Sequence, residues 1–283
     1  MADYDRFEFD IDTGVASLHV SASGSDSPTL VFLHYWGGSS RTWQPVIDRL
    51  APTTRCVAID QRGWGRSIGP ETGYAIEDLA ADATAVIQEL ELDDYILVGH
   101  SMGGKVAQLL ATRRPEGLRG VVLVAPAPAR PAEIPDGIRA QMAAAYTSRE
   151  SVLVTLDAVL SHAPLSDELR EQVVADSLGG SAGAKGEWPA SGIVQDVSAE
   201  LARIDVPVLV VAAHHDRVEP VALMESNVIG LIPGARLEVI ADSGHLIPLE
   251  RPAELSDLIA GFRDAIVIGR CAGAEHVRDS VTR

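Results

Sequence analysis

The sequence predicts an α/β fold built on a mostly parallel eight-stranded sheet flanked by helices, with a helical cap insertion. Short apolar runs such as "TLVFLH" and "VPVLVVAA" alternate with helical patterns. Strands that are apolar throughout are typical of parallel sheets covered on both faces. The strand–helix alternation favours a doubly wound arrangement. It stops in one long stretch, residues 126–204, where only helical patterns follow one another.

The predicted strands and helices follow in chain order. Eight apolar or alternating runs predict strands: Arg6–Ile11, Val15–Ser21, Thr29–His34, Arg55–Asp60, Tyr95–Gly99, Gly120–Val124, Val206–Ala212 and Arg236–Ile240. The first two alternate apolar and polar residues, which is typical of an antiparallel edge. Four stretches with apolar residues three and four apart predict helices of the core: Thr42–Leu50, Tyr74–Leu90, Lys105–Arg113 and Pro252–Ile266.

These elements divide the chain into a core and an insertion. The core is predicted to comprise residues 1–125 and 205–268, interrupted by the helical insertion at residues 126–204. Three insertion helices are expected, in the segments Asp136–Tyr146, Arg149–Leu160 and Ser166–Leu178. The next segment, "GGSAGAKGEWPASG" at residues 179–192, is predicted to be a loop. The tail, residues 269–283, lacks an apolar face and is expected to be frayed or loosely packed.

Composition limits the partners of the protein. The 283 residues include 40 acidic and 23 basic side chains, which gives a net charge of −17. This balance argues against nucleic acid and anionic membranes as partners. Two cysteines, Cys56 and Cys271, indicate no disulfide framework and fit a reducing cytoplasm. The start "MADYDRFEFD" has no signal-peptide pattern, and a cytoplasmic location is therefore predicted.

The stretch "YILVGHSMGGKVAQLLA" fits two kinds of strand–turn–helix motif. Read as a phosphate-binding loop, it should carry Ser or Thr after Lys105 to bind Mg²⁺, but Val106 stands there. Read as G-x-S-x-G, it places Ser101 between Gly99 and Gly103 in a one-residue reversal that projects a nucleophilic hydroxyl above the sheet. The nucleophile is favoured, although a lone match also fits a serine in an ordinary glycine-rich turn.

A nucleophilic serine needs a base and an orienting acid, and the chain supplies both further on. Asp216 follows the apolar strand in "VPVLVVAAHHDRVEP", and His245 follows the strand in "RLEVIADSGHLIPLE". With Ser101 they lie just beyond the carboxyl ends of predicted strands, where such sheets bind ligands. Asp242 is an alternative acid, but "ADSGH" is typical of a turn in which Asp242 caps backbone N–H groups.

The loop after the third strand, "HYWGGSS", is the candidate oxyanion-binding loop. The backbone N–H groups of Trp36 and Met102 are the predicted donors to a developing oxyanion. His34 is expected to stabilise this loop through a hydrogen bond. The helix that follows Ser101 would place its positive N-terminus beneath the site.

The remaining candidates carry weaker signals. His214 and His215 adjoin Asp216, but no further ligands follow at metal-binding spacing, so neither a metal nor a cofactor is predicted. His100 is expected to be packed and hydrogen-bonded. Three residues are candidate substrate contacts, with ordinary packing as the alternative for the last two: Tyr35, His162 and Trp188.

Together these features resemble the α/β-hydrolase superfamily over about residues 7–266. The matching stretches are "FLHYWGG", "IDQRGWGRS", "VGHSMGG", "VVAAHHDRVEP" and "SGHLIPLE". The resemblance implies the α/β-hydrolase fold, with Ser101 as nucleophile, Asp216 as orienting acid and His245 as base. It is nearest to bacterial carboxylesterases, haloperoxidase-like esterases and enol-lactone hydrolases. The chain departs from the family at Tyr35 and Ala213, where glycines are usual.

The resemblance implies a serine hydrolase that cleaves carboxylic esters of small to medium apolar substrates through an acyl-enzyme. A small-molecule ester is the expected partner, and a homodimer is left open. The same groups also serve lactonases and hydrolases of carbon–carbon bonds. A ligand receptor that retains the three residues without turnover is a further alternative. The insertion is expected to lie over Ser101 and to roof an apolar pocket.

Overall fold

The computed structural model describes residues 4–281, with side chains as far as Gly269. Its sheet contains the eight predicted strands: β1 (Arg6–Asp12), β2 (Ser17–Ser23), β3 (Thr29–Leu33), β4 (Cys56–Ile59), β5 (Tyr95–His100), β6 (Leu118–Val124), β7 (Val208–Ala213) and β8 (Arg236–Ile240). The strand order is β1-β2-β4-β3-β5-β6-β7-β8. The pairs β1–β2 and β2–β4 are antiparallel and the others are parallel, which confirms the predicted sheet.

The central strands are apolar because both of their faces are covered. Every residue of β3, β4, β5 and β7 is buried. Alternate side chains of a strand point to opposite faces, so Val31 packs in one core cluster and Phe32 in the other. In the parallel register Leu33 lies opposite Gly99, and His100 lies opposite Val124. The carboxyl ends of β3, β5 and β6 therefore meet at one edge of the sheet.

Ten helices lie among the described residues: α1 (Gln44–Leu50), α2 (Ile76–Glu89), α3 (Met102–Thr112), α4 (Asp136–Ala144), α5 (Arg149–Thr155), α6 (Asp167–Gly179), α7 (Ala182–Ala190), α8 (Val221–Asn227), α9 (Ile247–Glu250) and α10 (Pro252–Val281). Residues of α1 and α10 pack on one face of the sheet, and residues of α2, α3 and the insertion pack on the other. One turn of π-helix, Leu156–Leu160, extends α5.

The insertion differs from its prediction in one segment. Residues 179–192, predicted to be a loop, contain α7. The glycines and Pro189 argue against a helix, yet the Ser181 side chain caps the N–H of Ala184 at 3.1 Å, and Trp188 is buried. Burial of one apolar side of this short segment outweighs its poor helix propensity.

The C-terminal tail also differs from its prediction. The last helix, expected to end at Ile266, continues to Val281. The sequence "AEHVRDSV" contains several good helix formers, which supports this continuation. The packing of the tail, predicted to be loose, concerns side chains beyond Gly269 that lie outside the described residues. Within residues 4–281, no helix is long and apolar enough to cross a membrane.

Candidate active site

Ser101 occupies a strained turn between β5 and α3. Its φ is 53° and its ψ is −114°, a conformation that costs a residue with a side chain about 1–3 kcal/mol. The Ser101 N–H donates to the Val124 carbonyl at 3.0 Å, and the Ser101 carbonyl accepts from the N–H groups of Lys105 and Ala127. Hydrogen bonds on both sides of the residue therefore stabilise the turn.

Two glycines allow the backbones around Ser101 to approach each other. A Cβ atom added to Gly103 would lie 2.4 Å from the Leu33 carbonyl oxygen, and one added to Gly99 would lie 2.4 Å from the Gly103 carbonyl oxygen. Any side chain at these positions would force β3, β5 and α3 apart. The glycine spacing thus serves the close approach that the sequence predicts.

Asp216 and His245 form a buried pair. Asp216 Oδ2 lies 2.8 Å from His245 Nδ1, and Asp216 Oδ1 accepts from the N–H groups of Val218 and Glu219. Burial disfavours the charge, but His245 and these two N–H groups outweigh it and hold the pKa of Asp216 below its usual range. An ionised carboxylate only accepts, so Nδ1 of His245 carries the proton. Nε2 is thereby left as the basic nitrogen.

His100 fixes the position of His245 relative to the serine turn. His100 Nε2 donates to the His245 carbonyl at 2.8 Å, and the two rings are 5.1 Å apart. Burial lowers the pKa of His100 well below its usual range, so the ring is neutral. The prediction of a packed, hydrogen-bonded His100 is confirmed. Ser101 and His245 thus lie on adjoining segments, although no hydrogen bond joins their side chains within residues 4–269.

The loop that carries His245 is capped by a residue that the sequence analysis missed. Asp242, predicted to cap this turn, is exposed and makes no hydrogen bond within the described region, so that prediction is wrong. Glu250 takes this role: its buried Oε2 accepts from the N–H groups of Gly244, His162 and Ala163 at 2.7–3.0 Å. Glu250 ends a short helix, α9, and no local pattern distinguishes it from a surface acid.

The candidate oxyanion-binding loop, residues 34–39 and called the oxyanion loop below, has a backbone orientation fixed by hydrogen bonds. The Tyr35 carbonyl accepts from the Gly38 N–H at 3.0 Å and from His34 Nδ1 at 2.7 Å. His34 Nε2 accepts from the Gln61 N–H, which leaves the proton of His34 on Nδ1. The role predicted for His34 is confirmed. The Trp36 N–H belongs to the same peptide group as the Tyr35 carbonyl. In a trans peptide these two groups point in opposite directions, so the Trp36 N–H points away from the His34 and Gly38 donors.

Neither of the two predicted oxyanion donors has a hydrogen-bond acceptor among the described residues. Met102 is the first residue of α3, and an N–H in the first turn has no partner within its helix. Neither the Met102 N–H nor the Trp36 N–H donates to another residue in the part of the chain that the structure describes. Both groups are therefore available for hydrogen bonding to an oxyanion.

The candidate substrate contacts are explained by packing alone. The Tyr35 ring lies 5.2 Å from the ring of His100, and Trp188 is buried against Gly192. His162 is exposed and stacks on His215 with 3.7 Å between ring centroids. Contact of these residues with a substrate stays a prediction. Among the described residues, no group of three or more His, Cys, Asp or Glu side chains is placed to hold a metal ion.

Sequence comparison identifies the family. A sequence profile of the alpha/beta hydrolase fold matches residues 28–252, and the chain belongs to this family. It is 31% identical to the AB hydrolase superfamily protein YisY of Bacillus subtilis (strain 168) over 264 residues, which cover 88% of this chain and 96% of that protein.

Two further relatives show the range of the family. The chain is 35% identical to the 2-(acetamidomethylene)succinate hydrolase of Mesorhizobium japonicum over 132 residues. This aligned region covers about half of each protein, 47% of this chain and 47% of that hydrolase. The crystal structure of carboxylesterase CesB (YbfK) from Bacillus subtilis superposes with a TM-score of 0.80 at 27% identity, covering 91% of both chains. The fold and the family are thus shown by sequence and by structure.

Proposed function

We propose that the protein is a serine hydrolase that cleaves carboxylic esters of small to medium apolar substrates through an acyl-enzyme. The observation that carries the proposal is the 2.8 Å pairing of Asp216 with His245 at the sheet edge where Ser101 occupies its strained turn. A nucleophile, a base and an orienting acid are the three parts that acyl transfer requires.

In the proposed reaction, Ser101 Oγ bonds to the ester carbonyl carbon while its proton passes to His245 Nε2. The carbonyl oxygen becomes an oxyanion, which the N–H groups of Trp36 and Met102 stabilise. The tetrahedral intermediate then expels the alcohol, which takes the proton from His245. Water attacks the acyl group by the same proton path, and the carboxylic acid is released as Ser101 is restored.

The surroundings support an apolar substrate. Trp36 of the oxyanion loop packs against Tyr146 of the insertion, with 4.2 Å between their ring centroids. Trp64 lies edge-on to both rings. Trp188 is buried in the same apolar cluster. We propose that this aromatic region, with Tyr35 and His162 nearer the acid and the base, borders the substrate. The name carboxylesterase of one structural relative agrees with an ester substrate.

The test combines labelling with turnover. A fluorophosphonate should add one group to the protein, on Ser101, as seen by peptide mass mapping. Ser101→Ala should abolish the label and lower kcat on p-nitrophenyl esters by roughly 10⁶-fold, the loss seen when such a nucleophile is removed. The variant should stay folded, since alanine is no larger than serine. Labelling at another residue, or full activity in Ser101→Ala, would contradict the proposal.

The same assay separates the alternatives. A panel of acetyl to octanoyl p-nitrophenyl esters, an aliphatic lactone and a vinylogous diketone should show the highest kcat/KM for an ester. A higher kcat/KM for the lactone or the diketone would replace the ester with that substrate class. Labelling of Ser101 without turnover of any of them would indicate a ligand receptor.

A further inference from the structure

Three hydrogen bonds join the insertion to Trp36 and Gly37 of the oxyanion loop. The Tyr146 hydroxyl donates to the Trp36 carbonyl at 3.0 Å, and the Ser177 hydroxyl donates to the Gly37 carbonyl at 3.0 Å. In the opposite direction, Trp36 Nε1 donates to the Ala184 carbonyl at 3.2 Å. The three partners belong to separate segments of the insertion, so the loop is bound along its length.

These contacts are buried and closely packed. Tyr146 is 3% exposed and Ser177 is 0% exposed. A Cβ atom added to Gly37 would lie 2.5 Å from the Tyr146 ring, which shows how closely that ring covers the loop. Burial raises the pKa of Tyr146 well above its usual range, so the hydroxyl keeps its proton and remains a donor.

The hydrogen bonds fix three consecutive peptide groups. The carbonyls of Tyr35, Trp36 and Gly37 each accept a hydrogen bond, the first from within the core and the next two from the insertion. Core donors hold the peptide group that carries the Trp36 N–H, and Tyr146 holds the next one, so the two regions together fix the Trp36 backbone on both sides. Without the Tyr146 and Ser177 hydroxyls, only the Tyr35 carbonyl of these three would retain a hydrogen-bond donor.

We propose that Tyr146 and Ser177 are positioning residues that direct the Trp36 N–H toward the oxyanion formed during catalysis. The inference rests on the proposed function, since it concerns the intermediate of acyl transfer. The insertion then contributes to the rate of the reaction as well as covering the site.

This role predicts a particular kinetic pattern. Negative charge on the carbonyl oxygen develops in the transition state, so misdirecting the donor lowers kcat while KM changes little. A residue that merely supports the fold would instead lower the melting temperature without this separation of kcat from KM.

The test compares Tyr146→Phe with Tyr74→Phe. The Tyr74 hydroxyl also joins core and insertion, since it donates to the Pro70 carbonyl and lies 3.1 Å from Ser181 Oγ, but it does not contact the oxyanion loop. Tyr146→Phe should lower kcat on p-nitrophenyl acetate by about 10- to 100-fold, in line with the effect of small misplacements of reacting groups. In Tyr74→Phe, kcat should stay within about twofold of the wild type.

A trifluoromethyl ketone provides a second readout. Ser101 Oγ adds to its carbonyl carbon and the proton passes to His245, so the adduct carries an oxyanion in the proposed site. Its inhibition constant should rise in Tyr146→Phe by about the factor lost from kcat/KM, whereas that of the product acetate should not change. Equal kinetics and equal inhibition in the two tyrosine variants would overturn the inference.

Ser177→Ala and Ser161→Ala form an independent pair, which covers the case in which Tyr146→Phe does not fold. The Ser161 hydroxyl donates to the Leu156 carbonyl within the insertion and makes no hydrogen bond to the oxyanion loop. A lower kcat only in Ser177→Ala supports the inference, and equal kcat values in the pair contradict it. Fluorophosphonate labelling of Ser101 in every variant separates this outcome from failure of the proposed function, in which the wild type itself would not be labelled there.

Discussion

The sheet and the insertion stabilise the candidate site by different means. In the sheet region, backbone hydrogen bonds and the close approach at Gly103 fix Ser101 in its turn. At the boundary with the insertion, single side chains such as Tyr146 and Glu250 make the hydrogen bonds. The location of Ser101 is therefore expected to depend little on individual side chains. The alignment of the groups around it depends on a few individual residues.

The largest effect on kcat is expected from a change at Asp216, the acid that follows a strand of the sheet. Asp216→Asn should lower kcat by roughly 10⁴-fold. The amide oxygen would accept from the Val218 and Glu219 N–H groups, so the amide NH₂ would donate to His245 Nδ1 and leave the ring proton on Nε2. Asp242→Asn is the matched control, an exposed acid three residues before His245, and should retain activity within about twofold. Steady-state kinetics on p-nitrophenyl acetate decide between them. A larger loss in Asp242→Asn would show that the acid is misassigned.

A smaller effect is expected where one side chain joins the insertion to the core. Glu250→Ala would leave the N–H groups of Gly244, His162 and Ala163 without their acceptor, and those of Gly244 and Ala163 are buried. Each unsatisfied group costs about 1–3 kcal/mol, so the free energy of unfolding should fall by roughly 3 kcal/mol or more. Glu250→Gln keeps an acceptor oxygen and should recover at least half of the loss. Urea unfolding measures both, and equal stabilities of the two variants would contradict this role.

The smallest effect concerns a buried charge beneath the insertion. Lys105 donates from Nζ to the Ile193 carbonyl at 3.0 Å, and burial lowers the pKa of Lys105 from 10.5 to about 8, against the opposing effect of Glu219 and Asp196. Between those pH values the unfolded chain binds more protons at Lys105 than the folded chain does. The contribution of this residue to the free energy of unfolding therefore rises with pH.

Comparison with Lys105→Met measures this contribution. The stability of the wild type relative to the variant should increase by roughly 1–3 kcal/mol between pH 8 and pH 10.5. Lys185→Met, which changes a half-buried lysine of the insertion, is the control for the removal of a lysine side chain. If the difference between wild type and Lys105→Met is constant with pH, the ammonium of Lys105 is not perturbed by burial.

Sequence patterns were sufficient for the sheet and for the order of the candidate residues. Each central strand is a continuous apolar run because both faces are buried, and this property is visible locally. The placement of Ser101 and Asp216 follows from the same pattern, since each residue comes just after such a strand, whereas His245 follows β8, most of whose residues are exposed. The glycines around Ser101 also have a local cause, which is the close approach of backbones at a sharp turn.

Patterns were insufficient where a role depends on contacts between distant segments. Tyr146 binds the Trp36 carbonyl from 110 positions away, and Glu250 binds the His162 N–H across 88 positions. Neither residue has neighbours in the sequence that indicate its partner. The error at α7 has the same origin, because the burial of Trp188 that stabilises this helix is a tertiary property.

The contact at Gly103 has a consequence for the exchange of insertions between related enzymes. Because backbone atoms are in contact there, the distance between the turn at Ser101 and the start of the oxyanion loop is set by the core and not by the insertion. A chimaera that carries a foreign insertion therefore keeps this distance. Its rate then depends on whether the graft supplies donors for the Trp36 and Gly37 carbonyls, as Tyr146 and Ser177 do here.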